Sequence, residues 1–250
     1  MSVKRDIVIG VAAFSLIAGG FAGAREINEH KNMSSSMQAG TCGPIPAGTA
    51  KKIAIMGDSI FTEYRAGADT NTPVSRSFPR LLQSAGAARN WSVTLHAVGS
   101  TMASQFLPGG NQYSVTQQVK ALQPDLVLMD WRANEQLNGK TPTQLKTDLD
   151  ALMTEIRTTS PNTQFMIVNP PKLWYHVFNQ GTYTQADYTA KMFEAAQAKG
   201  ACWVDMVPAF PQTGPDTYSR AYLPDDIHGN NAGHALYFAK VDGALLQSCP

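Results

Sequence analysis

From residue 51 onward, short apolar runs alternate with amphipathic segments, and this alternation confines the fold more than any other feature of the sequence. Residues 53–56, 93–98, 125–129, 164–168 and 202–207 have strand character, and several of these runs are almost continuously apolar. Strands read that way when both faces of a parallel sheet are covered. Between them, Phe78, Leu81, Leu82 and Ala85 recur at helical spacing, as do Val115, Val119 and Leu122. Leu145, Leu149, Leu152, Met153 and Ile156 line one face of a longer helix, and residues 188–198 and 232–246 supply two more. With right-handed crossovers this order predicts an α/β domain, a three-layer doubly wound parallel sheet of about five strands. Ligands then bind beyond the carboxyl ends of the strands, so the segments after each run are where a site should lie.

Charge removes one class of partner. Lys and Arg number 20 against 19 Asp and Glu, a formal +1, and no basic run exceeds Lys51-Lys52. Nucleic-acid binding through phosphate neutralisation is therefore not expected. The three cysteines form no CxxC and no cluster with histidine at ligand spacing, so no metal is implied. Lys4 and Arg5 precede an uncharged stretch, residues 7–24, that ends in Ala22-Gly23-Ala24 before Arg25. That is the pattern of a secretory signal, with an uncleaved membrane anchor as the rival. Residues 25–50 are small, polar and without period, which suggests a tether; residues 51–250 form the domain. Export favours one disulfide, and the topology puts Cys42, Cys202 and Cys249 near the bottom of the sheet, so Cys42–Cys249 and Cys202–Cys249 are both open.

The chemistry lies in two places. Gly57-Asp58-Ser59-Ile60 ends the first strand, and Asp225-Asp226-Ile227-His228 lies in the loop before the last helix. A serine hydroxyl attacks only when an imidazole takes its proton, and the imidazole needs an acceptor on its other nitrogen. Asp225, three residues before His228, can supply that acceptor; Asp226, two residues before it, points elsewhere on a turn. An acyl-transfer site also needs donors for the oxyanion. The backbone N–H of Ser59, the backbone N–H of Gly99 after the second strand and the side-chain amide of Asn134 after the third are the candidates.

This series of blocks resembles the SGNH hydrolase (GDSL-like esterase/lipase) superfamily, whose nucleophilic serine, glycine, asparagine and histidine correspond in chain order to Ser59, Gly99, Asn134 and His228. The resemblance covers residues 51–250 and implies a flavodoxin-like fold, no cofactor, and ester hydrolysis through an acyl-enzyme. One block departs from the pattern: Arg132-Ala133-Asn134-Glu135 stands where the family has Gly-x-Asn-Asp. Arg132 either contacts an acidic or polyhydroxylated substrate or pairs with Asp130 or Glu135.

Two later loops are rich in aromatics: Trp174, Tyr175 and Phe178, then Phe210, Tyr218 and Tyr222. They either line a substrate pocket, with Trp174 and Tyr175 as the substrate contacts, or anchor their own loops. His96, His176 and His234 have core or surface roles by position. The expectation is a monomeric, extracytoplasmic serine esterase acting on a small-molecule or glycan ester, with no cofactor and membrane contact only through an uncleaved leader. An acyltransferase with the same triad, or a glycan-binding protein whose Arg132 blocks the oxyanion pocket, are the alternatives.

Overall fold

The computed structural model describes residues 50–68, 74–173, 178, 181–210 and 220–248. The expected export segment, and the tether apart from Ala50, lie outside the described residues, as do Cys42, Cys249, Trp174, Tyr175, His176 and Tyr218. Strands β1 (Lys51–Gly57), β2 (Trp91–Leu95), β3 (Leu126–Asp130), β4 (Gln164–Asn169) and β5 (Cys202–Asp205) form one sheet in the order β2-β1-β3-β4-β5. Every neighbouring pair is parallel. β3 is buried along its whole length and β1 everywhere but Lys52, which explains their unbroken apolar character. The winding reverses between β1 and β3, so their carboxyl ends open onto a crevice that no crossover covers.

The helices are α1 (Phe78–Ala87), α2 (Tyr113–Leu122), α3 (Ala133–Leu137), α4 (Pro142–Arg157), α5 (Gln185–Lys199) and α6 (Asn231–Ser248). α1 packs with α6, and α4 packs with α2 and α5, which gives the layers of the doubly wound arrangement. Local chemistry starts α4 cleanly. Thr141 Oγ1 accepts from Gln144 N–H at 3.2 Å, Gln144 Oε1 accepts from Thr141 N–H at 2.7 Å, and Pro142 occupies the first turn. Thr184 and Asp187 cap α5 in the same way, and Gly200 ends it at φ +62°. The buried face of α4 is the expected stripe of Leu145, Leu149, Leu152, Met153 and Ile156.

Some expectations shift. β2 ends at Leu95 rather than 98, although His96 and Val98 still donate backbone N–H groups to Ile55 and Gly57 at 2.8 and 3.0 Å. β5 ends at Asp205 because Val207–Ala209 turns into a 3-10 helix around Pro208, which lacks a ladder donor. In α1, Phe78 and Leu82 are buried as expected, but Gly86 completes the face and Leu81 and Ala85 are only half-buried. The cause is close approach: a Cβ on Gly86 would lie 2.7 Å from Val93 Cγ2.

Gly57 closes β1 under a similar constraint. A Cβ there would meet the Asp130 carbonyl oxygen at 2.7 Å and Phe61 Cβ at 3.2 Å. Gly57→Ala should therefore destabilise the fold by about 1–3 kcal/mol in urea unfolding, and an unchanged midpoint would contradict this packing.

Candidate active site

Beyond Gly57 the chain turns sharply over the end of β3. Asp58 N–H donates to Asp130 O at 3.3 Å, Phe61 N–H to Asp58 O at 3.2 Å and Thr62 N–H to Ser59 O at 3.3 Å. Ile60 and Phe61 plug the core, leaving Ser59 half-buried at the crest. Ser59 Oγ lies 2.8 Å from His228 Nε2. On the far side of the ring, His228 Nδ1 lies 2.7 Å from Asp225 Oδ2. The other oxygen, Asp225 Oδ1, accepts the backbone N–H of Ile227 at 3.1 Å and of His228 at 2.6 Å. One carboxylate thus folds the loop and orients the ring, which is what the three-residue spacing permits. With Nδ1 facing a carboxylate, the ring carries its proton there and Nε2 is left to accept from the Ser59 hydroxyl. Partial burial raises the Asp225 pKa, but the hydrogen bonds from the His228 ring and backbone outweigh it and hold the carboxyl below its ordinary range. Asp226 takes the left-handed position of this turn at φ +67°, and Asp225 provides the carboxylate at the ring.

Gly99 and Asn134 reach the same place from the loops after β2 and β3. Together with Ser59 and His228 they line a cleft of about 510 Å³. Among the described residues the backbone N–H groups of Ser59 and Gly99 have no acceptor, whereas Asn134 Nδ2 donates to Asp58 Oδ2 at 3.1 Å and to Thr101 O at 3.0 Å. A Cβ on Gly99 would meet nothing closer than Ser59 Cβ at 3.8 Å. Glycine there is not demanded by protein packing, and its missing side chain leaves open the space beside the serine.

Sequence reasoning missed several lining residues, among them Tyr64, Leu137 and Ile227. Leu137 follows Asn134 by one turn of α3, a five-residue helix that the apolar pattern is too short to announce. Tyr64 is 50% exposed and its ring meets His228 edge-on, with centroids 4.8 Å apart. Its backbone is anchored by His234, whose Nε2 lies 2.8 Å from Tyr64 O while Nδ1 accepts Phe78 N–H at 3.1 Å. Those partners make Nε2 the protonated nitrogen, and burial lowers the pKa of His234 to about 4. Nothing in the sequence tied His234 to the cleft.

Arg132, for which the sequence leaves a substrate contact and a structural pairing both open, turns into the fold. This side chain is 1% exposed and directs its guanidinium at the β4 side of the fold. Nη1 donates to Asn169 Oδ1 at 3.1 Å and Thr189 Oγ1 at 3.4 Å; Nη2 donates to Pro171 O at 2.8 Å and Gln185 Oε1 at 3.1 Å. It makes no hydrogen bond to Asp130 or Glu135, and it does not line the cleft, which removes the obstruction on which the glycan-binding alternative relied. A rigid fork of donors satisfies four acceptors at once, so a long cation can stand where a glycine was expected. Gln185 continues the network by bonding both the N–H and the carbonyl of Leu173, at 2.9 and 2.7 Å. Of the loop aromatics, Phe178 and Phe210 are buried and belong to the core, Phe210 packing edge-on against Tyr222. Trp174 and Tyr175 lie outside the described residues.

Three carboxyls with no exposure lie beneath the serine turn: Asp58, Asp130 and Glu135. Burial raises all three pKa values. For Asp58 the Ile60 N–H at 2.9 Å, the His228 charge and the Asn134 amide counter that rise, leaving it at about 6. Glu135 Oε1 accepts only Ala103 N–H, at 2.7 Å, and its pKa reaches about 8. Neither oxygen of Asp130 has a hydrogen-bond partner among the described residues; burial and the neighbouring Asp58 push it well above the carboxylate range. At neutral pH Glu135 is a neutral acid, and Asp58, with two N–H donors, is the best placed of the three to carry a charge.

A model of the GDSL-like Lipase/Acylhydrolase family matches residues 55–236, most of the chain. A search of the curated proteins gave no match. Solved structures with the same fold include a GDSL-like lipase candidate from Parabacteroides merdae, at 17% identity and a TM-score of 0.64, covering 80% of this chain and 98% of that one. The acetylxylan esterase Axe2 from Geobacillus stearothermophilus aligns at 18% identity and TM-score 0.60, over 82% and 95% of the two chains. The psychrotrophic esterase EstA from Pseudoalteromonas sp. aligns at 17% and 0.59, over 79% and 97%.

The Glu135 environment sets a pH dependence of stability. Its folded pKa of about 8 lies above the ordinary 4.5, so the folded state holds a proton that the unfolded chain has released, and stability falls as pH rises between those values. Glu135→Gln removes that loss. Urea unfolding of the variant should show a smaller decline from about pH 5 to about 9 than the parent, and parallel curves would contradict a buried neutral acid.

Proposed function

Because the chain belongs to the GDSL-like lipase/acylhydrolase family, we propose that it is an exported serine esterase in which Ser59 is the nucleophile, His228 the general base and acid, and Asp225 the residue that orients His228. One observation carries the reading: the unbroken line from Ser59 Oγ to His228 Nε2 at 2.8 Å and from His228 Nδ1 to Asp225 Oδ2 at 2.7 Å, joining residues 169 positions apart at the mouth of the crevice.

In this reading His228 Nε2 takes the hydroxyl proton as Ser59 Oγ bonds to the ester carbonyl carbon, and Asp225 stabilises the resulting imidazolium. The carbonyl oxygen becomes an oxyanion facing the N–H groups of Ser59 and Gly99 and the amide of Asn134, which exchanges one of its two protein acceptors for it. His228 returns the proton to the alcohol oxygen as the C–O bond breaks, leaving an acyl-Ser59. Water, deprotonated by His228, then attacks the acyl carbon, and the proton passes back to Ser59 Oγ as the acid departs. No step calls for a cofactor.

The leader-like residues 7–24 support export or membrane anchoring ahead of a tether at 25–50 and a hydrolase domain at 51–250. The same reading expects one disulfide, Cys42–Cys249 or Cys202–Cys249, and Cys202 is buried at the head of β5. An acetylated glycan or a short acyl ester is the substrate class, favoured by the open cleft and by the esterase names of proteins with the same fold. The purified protein should hydrolyse p-nitrophenyl acetate or butyrate, and Ser59→Ala and His228→Ala should each lower kcat by on the order of 10³-fold or more. A Ser59→Ala variant that keeps parental turnover would sink the assignment.

A further inference from the structure

The fold fixes the backbone of Tyr64 and leaves its ring at the mouth of the cleft. Tyr64 N–H donates to Thr62 Oγ1 at 3.2 Å, and its carbonyl oxygen accepts from His234 Nε2 at 2.8 Å. The residues that follow are pinned to the loop of His228. Ala66 N–H donates to Gly229 O at 2.9 Å, Arg65 Nη1 donates to Asn231 Oδ1 at 3.3 Å, and Gly67 lies so close to Pro224 that a Cβ would meet it at 2.9 Å. The ring is half-exposed and meets His228 edge-on, while its hydroxyl makes no hydrogen bond among the described residues. A lone exposed tyrosine needs no explanation; what gives this one a role is its place.

His228 Nε2, 2.8 Å from Ser59 Oγ, must also reach the alcohol oxygen of an ester as the C–O bond breaks. The alcohol half of the substrate therefore leaves along the His228 side of the cleft, where Tyr64 and Ile227 are the neighbours of the imidazole. Resting on the esterase reading above, we propose that Tyr64 is a specificity-determining residue for the alcohol half of the ester, an aromatic platform against which a neutral sugar ring lies while its acyl group is attacked by Ser59.

The chemistry of the lining selects that class of alcohol. None of the described residues that line the cleft is Asp, Glu, Lys or Arg, so a phosphate, carboxylate or ammonium head group finds no counter-charge there. The hydroxyls of Tyr64 and Ser100, both on the cleft, have no hydrogen-bond partner among the described residues. They offer a donor and acceptors to hydroxyl groups, which a plain alkyl alcohol does not present once esterified. A pyranose ring supplies both complements: a C–H face that covers the tyrosine ring and hydroxyls at its rim. Because the backbone of Tyr64 is already tied down by His234 and Thr62, little ordering is left for the sugar to bring about.

The test compares two esters with the same acyl group, a mono-O-acetylated methyl β-glucopyranoside and propyl acetate, in the parent, Tyr64→Ala and Tyr64→Trp. Both variants keep the backbone bonds that anchor residue 64. The ratio of kcat/KM for the sugar acetate to that for propyl acetate should fall by on the order of tenfold in Tyr64→Ala, carried by KM, and return to within about threefold of the parent in Tyr64→Trp. Any influence of Tyr64 exerted through His228 slows both esters alike and cancels in the ratio. A ratio unchanged in Tyr64→Ala would assign the ring to His228 alone and overturn the proposal, as would a parent that favours the propyl ester. A second measurement needs no turnover: methyl β-glucopyranoside and 1-propanol are titrated separately into Ser59→Ala protein while the Tyr64 ring ¹H–¹³C resonances, assigned by their loss in Tyr64→Ala, are followed. The glycoside should move them and propanol should leave them in place; no movement, or equal movement with both, would overturn the proposal. Absence of ester hydrolysis in the parent would strike the Ser59 reading instead, and the titration would still decide whether Tyr64 receives a sugar ring.

Discussion

What stands above the sheet depends on the place where β1 and β3 end side by side, Gly57 opposite Asp130 in parallel register. The backbone bond from Asp58 N–H to Asp130 O turns the chain over that junction, and the lack of room for a Cβ at Gly57 keeps the two strand ends in contact. Because the winding reverses there, the loops leaving β1 and β3 part above a crevice with no crossover across it. Ser59 and Asn134 are the polar groups those loops put into it, and Gly99 arrives from the neighbouring edge strand. His228 comes from the other end of the chain and is set by its own carboxylate rather than by the sheet.

The floor of this site is unusually polar for a protein core. Asp58, Asp130, Arg132 and Glu135 are all essentially without exposure. Burying four ionisable groups is tolerable only when charges are matched or neutralised. Here Arg132 is met by four neutral oxygen acceptors, burial holds Glu135 neutral at pH 7 and pushes Asp130 toward its neutral form, and Asp58 has two N–H donors of its own. Asp58 hydrogen-bonds the serine turn to the Asn134 helix, and Arg132, at the start of that helix, separately bonds the segment after β4.

Much of the fold could be read from the residues because periodicity survives burial. The α4 stripe is carried by leucines at helical spacing, and β3 by a continuous apolar run. Ser59, Gly99, Asn134, Asp225 and His228 were legible as a series because each follows a strand end or precedes a helix, where an α/β sheet exposes polar groups. Legibility failed where the decisive partner was distant in sequence. Nothing near Arg132 announced that Asn169, Gln185 and the Pro171 carbonyl would surround it, so the sequence left a substrate contact and a structural role both open. His234 offered no local sign that it would anchor Tyr64. Five residues were too few for α3 to show a helical period, and Phe178 and Phe210 were ambiguous because an aromatic in a loop serves a core as readily as a ligand.

The central claim is that Ser59 is the one serine activated by a neighbouring imidazole. The most direct measurement is intact-protein and peptide mass spectrometry after treatment with an alkyl fluorophosphonate, which phosphonylates an activated serine hydroxyl with loss of fluoride. The account predicts a single adduct per chain on the peptide bearing Ser59, formed far more slowly when His228 is replaced by alanine. An adduct at another serine, or labelling of Ser59 at an undiminished rate without His228, would contradict it.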